Sequence, residues 1–266
     1  MTTSSSTSIE TILMLEGGIV ATLSMPESAG SCPAVLMLHG FGSSRDEVGG
    51  MYRREAAVLA KMGVASLRID FPGFGKSDGD SGATTVLGQL ADSRATLAAL
   101  MAMQGIDPDR VGLLGFSLGG GVAMLLAAEQ PDKVKALVTW SSVGDFRADF
   151  FSALGRETFE QAAAMGIVGL DLGWRTIALR QGFFDSLNGH DLLAAISSYR
   201  GSYLSITGDL DTASAYAPIF LAASLAKEKE AVIVPGGDHI FRVLSEDQTM
   251  AERVIGKTAE WLADML

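Results

Sequence analysis

Short runs that are apolar on both faces, separated by longer stretches of helical period, leave this chain few folds to choose between. Eight runs have strand character: residues 9–15, 19–24, 34–39, 65–71, 111–116, 136–141, 203–207 and 231–235. From the third onward they turn apolar residues to both sides, the pattern of a parallel sheet covered by helices on each face. Helical patterns fill the gaps at 46–62, 84–104, 118–129, 213–226 and 245–265. The last places Ala251, Val254, Ile255, Leu262 and Met265 near helical spacing, an amphipathic face. Such alternation predicts βαβ units with right-handed crossovers. The expected fold is α/β: a mostly parallel eight-stranded central sheet flanked by helices, one domain over residues 1–266. Ligands of such sheets gather beyond the carboxyl ends of the strands, so the residues just after each strand matter most.

Composition narrows the functional classes. The chain has 266 residues, 48% of them hydrophobic and 19% charged. That supports a sizeable core and excludes disordered and low-complexity classes. Lys and Arg total 20 against 31 Asp and Glu, a formal charge of −11. A net-acidic surface argues against binding nucleic-acid backbones. The single cysteine, Cys32, excludes an internal disulfide and permits a reducing compartment. The longest clearly apolar run, residues 122–128, is far too short to span a membrane. The opening MTTSSSTSIE has no basic region followed by an apolar stretch, so it reads as a polar leader and no signal peptide is expected. The expectation is a cytoplasmic protein, and a homodimer is compatible with it.

One stretch breaks the alternation. About sixty residues separate the strand ending near Ser142 from the one starting at Tyr203, more than a plain crossover needs. Residues 190–198 supply the crossover helix. The remainder, about 143–188, is expected to be a small helical cap. It holds Phe146, Phe150, Phe151, Phe159, Phe183 and Phe184, half of the 12 Phe, together with Trp174. The simple reading is a cap with its own apolar contacts. The sharper one is a lid whose inner face, with Phe146, Phe150, Trp174 and Phe183, binds substrate.

Gly115-Phe116-Ser117-Leu118-Gly119 is a G-x-S-x-G segment with a strand before it and a helix directly behind it. In that context the serine occupies a sharp strained turn with its Oγ exposed at the top of the sheet. The flanking glycines are needed because a side chain there would strike the adjoining strand or helix. Two decoys lack this context. Gly75-Lys76-Ser77-Asp78-Gly79 runs into a Gly- and Asp-rich loop, and it imitates the end of a P-loop except that Asp70 stands where the upstream glycine belongs. Gly79-Asp80-Ser81-Gly82 resembles a protease serine neighbourhood that belongs to an all-β fold.

A serine hydroxyl needs a base, and the base needs a third group to fix its tautomer and stabilise its cation. There are three histidines. The order this architecture uses is serine, then acid, then histidine; only His239 comes late enough for it, beyond the last strand. His39, at the end of a strand, and His190, at a helix start, are read as structural. For the acid, Asp211 of Gly208-Asp209-Leu210-Asp211-Thr212 is favoured, because a turn beginning at Gly208 can aim it back across the sheet. Asp209 suits turn hydrogen bonds, and Asp238, as an immediate neighbour, points away from the imidazole. Acyl transfer also needs two backbone N–H donors for the developing oxyanion. Leu118, directly after the serine, and Phe41, in His39-Gly40-Phe41-Gly42, are the expected pair.

Four separate segments, HGFG, GFSLGG, GDLD and GGDH, thus follow predicted strands in the order one mechanism requires. In them the chain resembles the α/β-hydrolase superfamily over nearly all of its length. Residues 70–79, DFPGFGKSDG, resemble the turn after the superfamily's fourth strand, with Pro72 where many members carry Arg. The HDLL and GDLDT segments and the compact insertion look most similar to bacterial carboxylesterases of the cinnamoyl/feruloyl esterase and dienelactone-hydrolase-like group. The resemblance implies the α/β-hydrolase fold and a Ser-His-Asp esterase without a cofactor, mapped onto Ser117, Asp211 and His239. A serine nucleophile departs from dienelactone hydrolase proper, which uses cysteine, and from dehalogenases and epoxide hydrolases, which use a carboxylate.

The expected activity is hydrolysis of small to medium hydrophobic or aromatic esters through an acyl-enzyme. The same residues serve thioesterases, acyltransferases, peptidases and perhydrolases. A ligand-binding receptor on this fold, with vestigial hydrolysis, is the alternative outside catalysis. The expected partner is a small-molecule ester, with no metal, cofactor or nucleic acid.

Overall fold

The computed structural model describes residues 8–27 and 30–266. All eight expected strands form one sheet. In chain order they are β1 (Ile9–Met14), β2 (Val20–Met25), β3 (Cys32–Leu38), β4 (Ala65–Ile69), β5 (Ile106–Phe116) and β6 (Val134–Trp140). A further pair, β7 (Ile167–Asp171) and β8 (Thr176–Arg180), lies apart, and β9 (Ser202–Gly208) and β10 (Lys229–Val234) complete the main sheet. Its order is β1-β2-β4-β3-β5-β6-β9-β10. β2 runs antiparallel to both β1 and β4, and the remaining pairings are parallel. The polar leader falls mostly outside the described residues; its Ile9 and Glu10 open β1.

Burial explains the strand sequences. β3, β4 and β6 are covered on both faces, so they need no polar alternation. The edge strands β1 and β10 are more exposed and read as mixed polar and apolar. The helices are α1 (Met51–Lys61), α2 (Val86–Met101), α3 (Leu118–Glu129), α4 (Phe146–Met165), α5 (Gln181–Ser186), α6 (Leu192–Ser198), α7 (Tyr216–Ala223) and α8 (Thr249–Met265). On one face, Leu97, Val122, Leu126 and Ile196 of α2, α3 and α6 join Leu36 and Leu113 of the sheet. On the other, Tyr52 and Leu59 of α1 and Val254, Ile255 and Leu262 of α8 join Val35, Leu114 and Val138. α3 is buried along nearly its whole length, which is why LGGGVAMLLAAE lacks a polar face.

Several helices are shorter than periodicity suggests, each for a local reason. The pattern over 46–62 becomes α1 only at Met51, because Glu47, Gly49 and Gly50 adopt positive φ. Thr85 starts α2 by accepting the Gly88 N–H on its side chain. The 213–226 pattern divides into a 3-10 turn at Thr212–Ala215 and α7. The 245–265 pattern becomes helical at Thr249.

The insertion departs most from expectation. It is not wholly helical: α4, broken at Gly155 (φ 79°), leads into the antiparallel hairpin β7–β8 and then α5. Val168, Leu170, Ile177 and Leu179 alternate inward and are buried. Period-two alternation on either side of a Gly173 turn is a hairpin signal, and the abundance of Phe around it obscured that signal.

Candidate active site

Sheet order brings the four segments to one rim. β3 and β5 are direct neighbours although they are not consecutive strands, which makes their boundary the point where strand order reverses. Leu38 pairs with Gly115, Phe116 with Trp140, Trp140 with Ile206, and Gly208 with Val234. The strands therefore end level, and the turns leaving them share one edge.

Ser117 occupies the turn between β5 and α3 with φ 53° and ψ −117°, a costly conformation for a residue with a Cβ. Its backbone is fixed from both sides. Its N–H donates to the Trp140 carbonyl at 2.9 Å, and its own carbonyl accepts from Gly120 at 3.0 Å and Val143 at 3.3 Å. The flanking glycines are required as the motif suggests. A Cβ at Gly119 would strike the Leu38 carbonyl oxygen, and one at Gly115 the Gly119 carbonyl. Ser77, the decoy, is consumed locally: its Oγ donates to the Asp70 carbonyl and accepts the Val20 N–H.

The three carboxylates considered for pairing with His239 separate cleanly. Asp211 Oδ2 lies 2.9 Å from His239 Nδ1. Asp209 instead accepts the Gly236 N–H at 2.7 Å, a bond between the loops after β9 and β10 rather than the local turn bond expected. Asp238 Oδ1 accepts the N–H groups of Ile240 and Arg242. The Asp211 side chain is 5% exposed and that of His239 is 46% exposed, so the pair has a buried end and an open end. Burial alone would push the Asp211 carboxyl up. Hydrogen bonds from His239 and the Ala213 N–H, with the charge of His239, outweigh it and hold Asp211 below the ordinary carboxylate value. A carboxylate accepting from Nδ1 orients the ring and leaves Nε2 free for proton transfer. The Phe116 ring, one residue before Ser117, stands 5.2 Å from the His239 ring. Beyond His239, Phe241 and Arg242 take φ of 54° and 53° in succession, held by the Asp238 bonds and by Arg242 Nε donating to the Gly236 carbonyl.

His39 and His190 are engaged with backbone groups. The Phe71 N–H donates to His39 Nε2 at 3.1 Å, so the proton sits on Nδ1, which donates to the Gly40 carbonyl at 2.7 Å. Burial holds this imidazole below its ordinary pKa. His190 donates from Nε2 to the Ser186 carbonyl and stacks edge-on with Phe146.

Among the described residues neither the Phe41 N–H nor the Leu118 N–H donates to a protein acceptor. The Phe41 ring packs against the insertion, 5.1 Å from the Phe150 ring and 5.3 Å from that of Phe183. Phe150 and Phe183 are buried, as is Phe146, which presses on Gly121 of α3. Trp174 differs: it is 71% exposed at the hairpin tip, and its Nε1 donates to the Gly42 carbonyl at 3.3 Å. Arg175 beside it donates to the Gly73 carbonyl and lies over the Phe74 ring. The hairpin thus straddles the loops after β3 and β4. Two contributors escaped sequence reading, Arg175 and Glu47. The Glu47 carboxylate accepts the Gly40 N–H at 2.7 Å. No local pattern marks a carboxylate whose partner lies seven residues upstream in a loop. The described residues hold no cluster of His, Cys, Asp or Glu suited to a metal ion, and no helix long and apolar enough to cross a membrane.

Comparison with known proteins agrees with this architecture. Est1E from Butyrivibrio proteoclasticus, in a structure with ferulic acid bound, superposes with a TM-score of 0.80 over 96% of this chain and 98% of its own, at 23% identity. Dienelactone hydrolase from Anabaena variabilis gives a TM-score of 0.66 over 97% and 99%, at 20% identity. In sequence, the pimeloyl-[acyl-carrier protein] methyl ester esterase of Aeromonas salmonicida is 34% identical over 122 residues, 46% of this chain and 42% of that protein. The chain spans less than half the length of some curated relatives it matches, that esterase included, and 70% of others. The family model described as the alpha/beta hydrolase fold matches residues 33–242, and the chain belongs to that family.

Proposed function

We propose that this hydrolase cleaves carboxylic esters through an acyl-enzyme on Ser117. One observation carries the reading: the Asp211–His239 hydrogen bond at 2.9 Å, on the rim where Ser117 holds its strained turn. Ser117 Oγ attacks the ester carbonyl carbon while His239 Nε2 takes its proton. The tetrahedral oxyanion is held by the N–H groups of Phe41 and Leu118, both without protein acceptors among the described residues. His239 then returns the proton to the departing alkoxide, and the alcohol leaves. Water attacks the acyl-enzyme with the same proton path, releasing the acid and restoring the serine. Asp211 orients the ring and stabilises its cation throughout.

The chain is read as one hydrolase domain whose residues 143–188 cap the site. The rings of Phe150 and Phe183 against Phe41 support an apolar or aromatic acyl or alcohol group, with Trp174 at the open side. A relative named as a methyl ester esterase supports ester over thioester or amide.

The test uses a panel of short-chain, long-chain and aryl chromogenic esters. Steady turnover by the wild type, its loss in Ser117→Ala with the circular dichroism spectrum unchanged, and Ser117-dependent labelling by a fluorophosphonate are expected. A single burst without turnover identifies a ligand-binding protein instead. Normal turnover by Ser117→Ala removes Ser117 from the mechanism.

A further inference from the structure

We infer that Glu47 is a positioning residue for the oxyanion site, holding the loop that carries the Phe41 N–H. The inference rests on the ester-hydrolase reading above and extends it to a residue that does not touch the substrate.

The backbone of Glu47 has φ 58° and ψ 171°, a region that is essentially glycine's alone. Glycines follow at 49 and 50, so the segment does not lack them. A residue with a side chain persists in such a conformation where its surroundings over-determine it. Here the side chain does the determining. The residue is 7% exposed. Its Oε1 accepts the N–H of Val48 at 3.0 Å, a local bond that opens the short turn at Val48–Gly50. Its Oε2 accepts the N–H of Gly40 at 2.7 Å, a bond that reaches back across the loop.

Gly40 is thereby held at both polar ends. Glu47 takes its N–H, and His39 Nδ1 donates to its carbonyl at 2.7 Å. That carbonyl belongs to the same planar peptide unit as the Phe41 N–H. In a trans peptide the two point in opposite directions. Fixing the carbonyl on His39 turns the Phe41 N–H away from His39, and fixing the Gly40 N–H on Glu47 stops the preceding peptide from rotating. Without Glu47, only one end of a flexible glycine is held. The same turn touches the other half of the site, because Gly49 lies directly against Val243, in the segment after His239. Glu47 therefore ties the loop after β3 to a turn packed on the histidine segment.

Donors that stabilise an oxyanion act in the transition state, so misaiming one lowers kcat and leaves KM in place. The test compares wild type with Glu47→Gly and Glu47→Gln. Glycine relaxes the strained backbone while removing both acceptors. Glutamine keeps the shape and one acceptor oxygen. For Glu47→Gly we expect kcat to fall about 10- to 100-fold with KM within about twofold, somewhat less than deleting a donor outright. An arylboronic acid, which forms a tetrahedral adduct on Ser117, should lose affinity by a similar factor. Glu47→Gln should lie between wild type and Glu47→Gly on both readouts.

Unchanged kcat in Glu47→Gly overturns the inference. So does a fall in kcat with boronate affinity intact, because the loss then lies elsewhere than the oxyanion donors. If Glu47→Gly does not fold, Glu47→Gln decides: wild-type kcat and boronate affinity with a lowered Tm make Glu47 a fold tether only. The wild-type control separates the two readings. If it neither turns over esters nor reacts with a fluorophosphonate, the hydrolase reading falls and takes this one with it. If it does both and Glu47→Gly matches it, only the role of Glu47 falls.

Discussion

Asp211 and His239, the proposed acid and base, differ in exposure. The carboxyl is nearly enclosed and the imidazole half open, an arrangement that suits the proposed mechanism, in which the base meets the substrate. Asp211→Asn keeps the shape but presents an amide to Nδ1, which favours the wrong tautomer. We expect kcat to drop about 10³–10⁴-fold, measured with the best chromogenic ester. The same residue affects stability with a definite sign. Because the folded carboxyl sits below its ordinary value, its contribution is present above the unfolded pKa and lost as pH falls through the folded one. Residue identity made much of this legible. Ser117, Asp211 and His239 each follow a strand within a short Gly-rich segment, and chain order eliminated the other histidines. Glu47 was not legible in this way, because its partner is a backbone N–H that only the folded loop brings near.

At the scale of single elements, the central strands announce themselves because burial on both faces removes the in-and-out polar alternation of a half-exposed strand. β7 and β8 do not, because they pair only with each other and bury one face. The start of α1 was obscured differently: Asp46 and Glu47 look like helix openers, but the chain makes a left-handed turn before Met51. α1 also carries a costly side chain in the core. Glu55 is fully buried, and neither of its carboxyl oxygens has a hydrogen-bond partner among the described residues. Burial pushes its pKa well above the ordinary carboxylate value. The protonated form therefore fits the folded state. Stability is full below the unfolded pKa and declines as pH rises toward the folded one, because the unfolded chain gains by ionising. Glu55→Met should raise the unfolding free energy at pH 8 by about 1–3 kcal/mol, the desolvation cost of an unsatisfied polar group. Urea melts of both proteins should show that gain shrinking toward pH 5. An equal gain at both pH values would mean that the carboxyl does not titrate in this range.

Across the whole molecule, sheet order does what local sequence cannot. It sets the strand before Phe41 directly beside the strand before Ser117, and brings Asp211 and His239 in from the far side. The alternation of strands and helices made the parallel βαβ architecture readable in advance but not the strand order, and the seating of the insertion depended on contacts such as Trp174 with Gly42 and Arg180 with Asp80. Charge acts at this scale too. A formal charge of −11 repels anions at long range. For an ester bearing a carboxylate, KM should fall as salt rises from about 0.05 to 0.5 M, since screening shortens that repulsion. A neutral ester of equal size should show a flat response, and matched responses for the two esters would assign the effect to something other than the field.

The side chain and the N–H of Phe41 belong to different worlds. The ring is clasped by Phe150 and Phe183, while the amide hydrogen is the one assigned to the reaction centre. On the proposed mechanism, a guest molecule that wedges these rings apart tugs on the same residue whose N–H greets its carbonyl. Shape is then judged twice, once on entry and again at the instant of bond making, so a poorly shaped guest can be admitted and still be processed slowly.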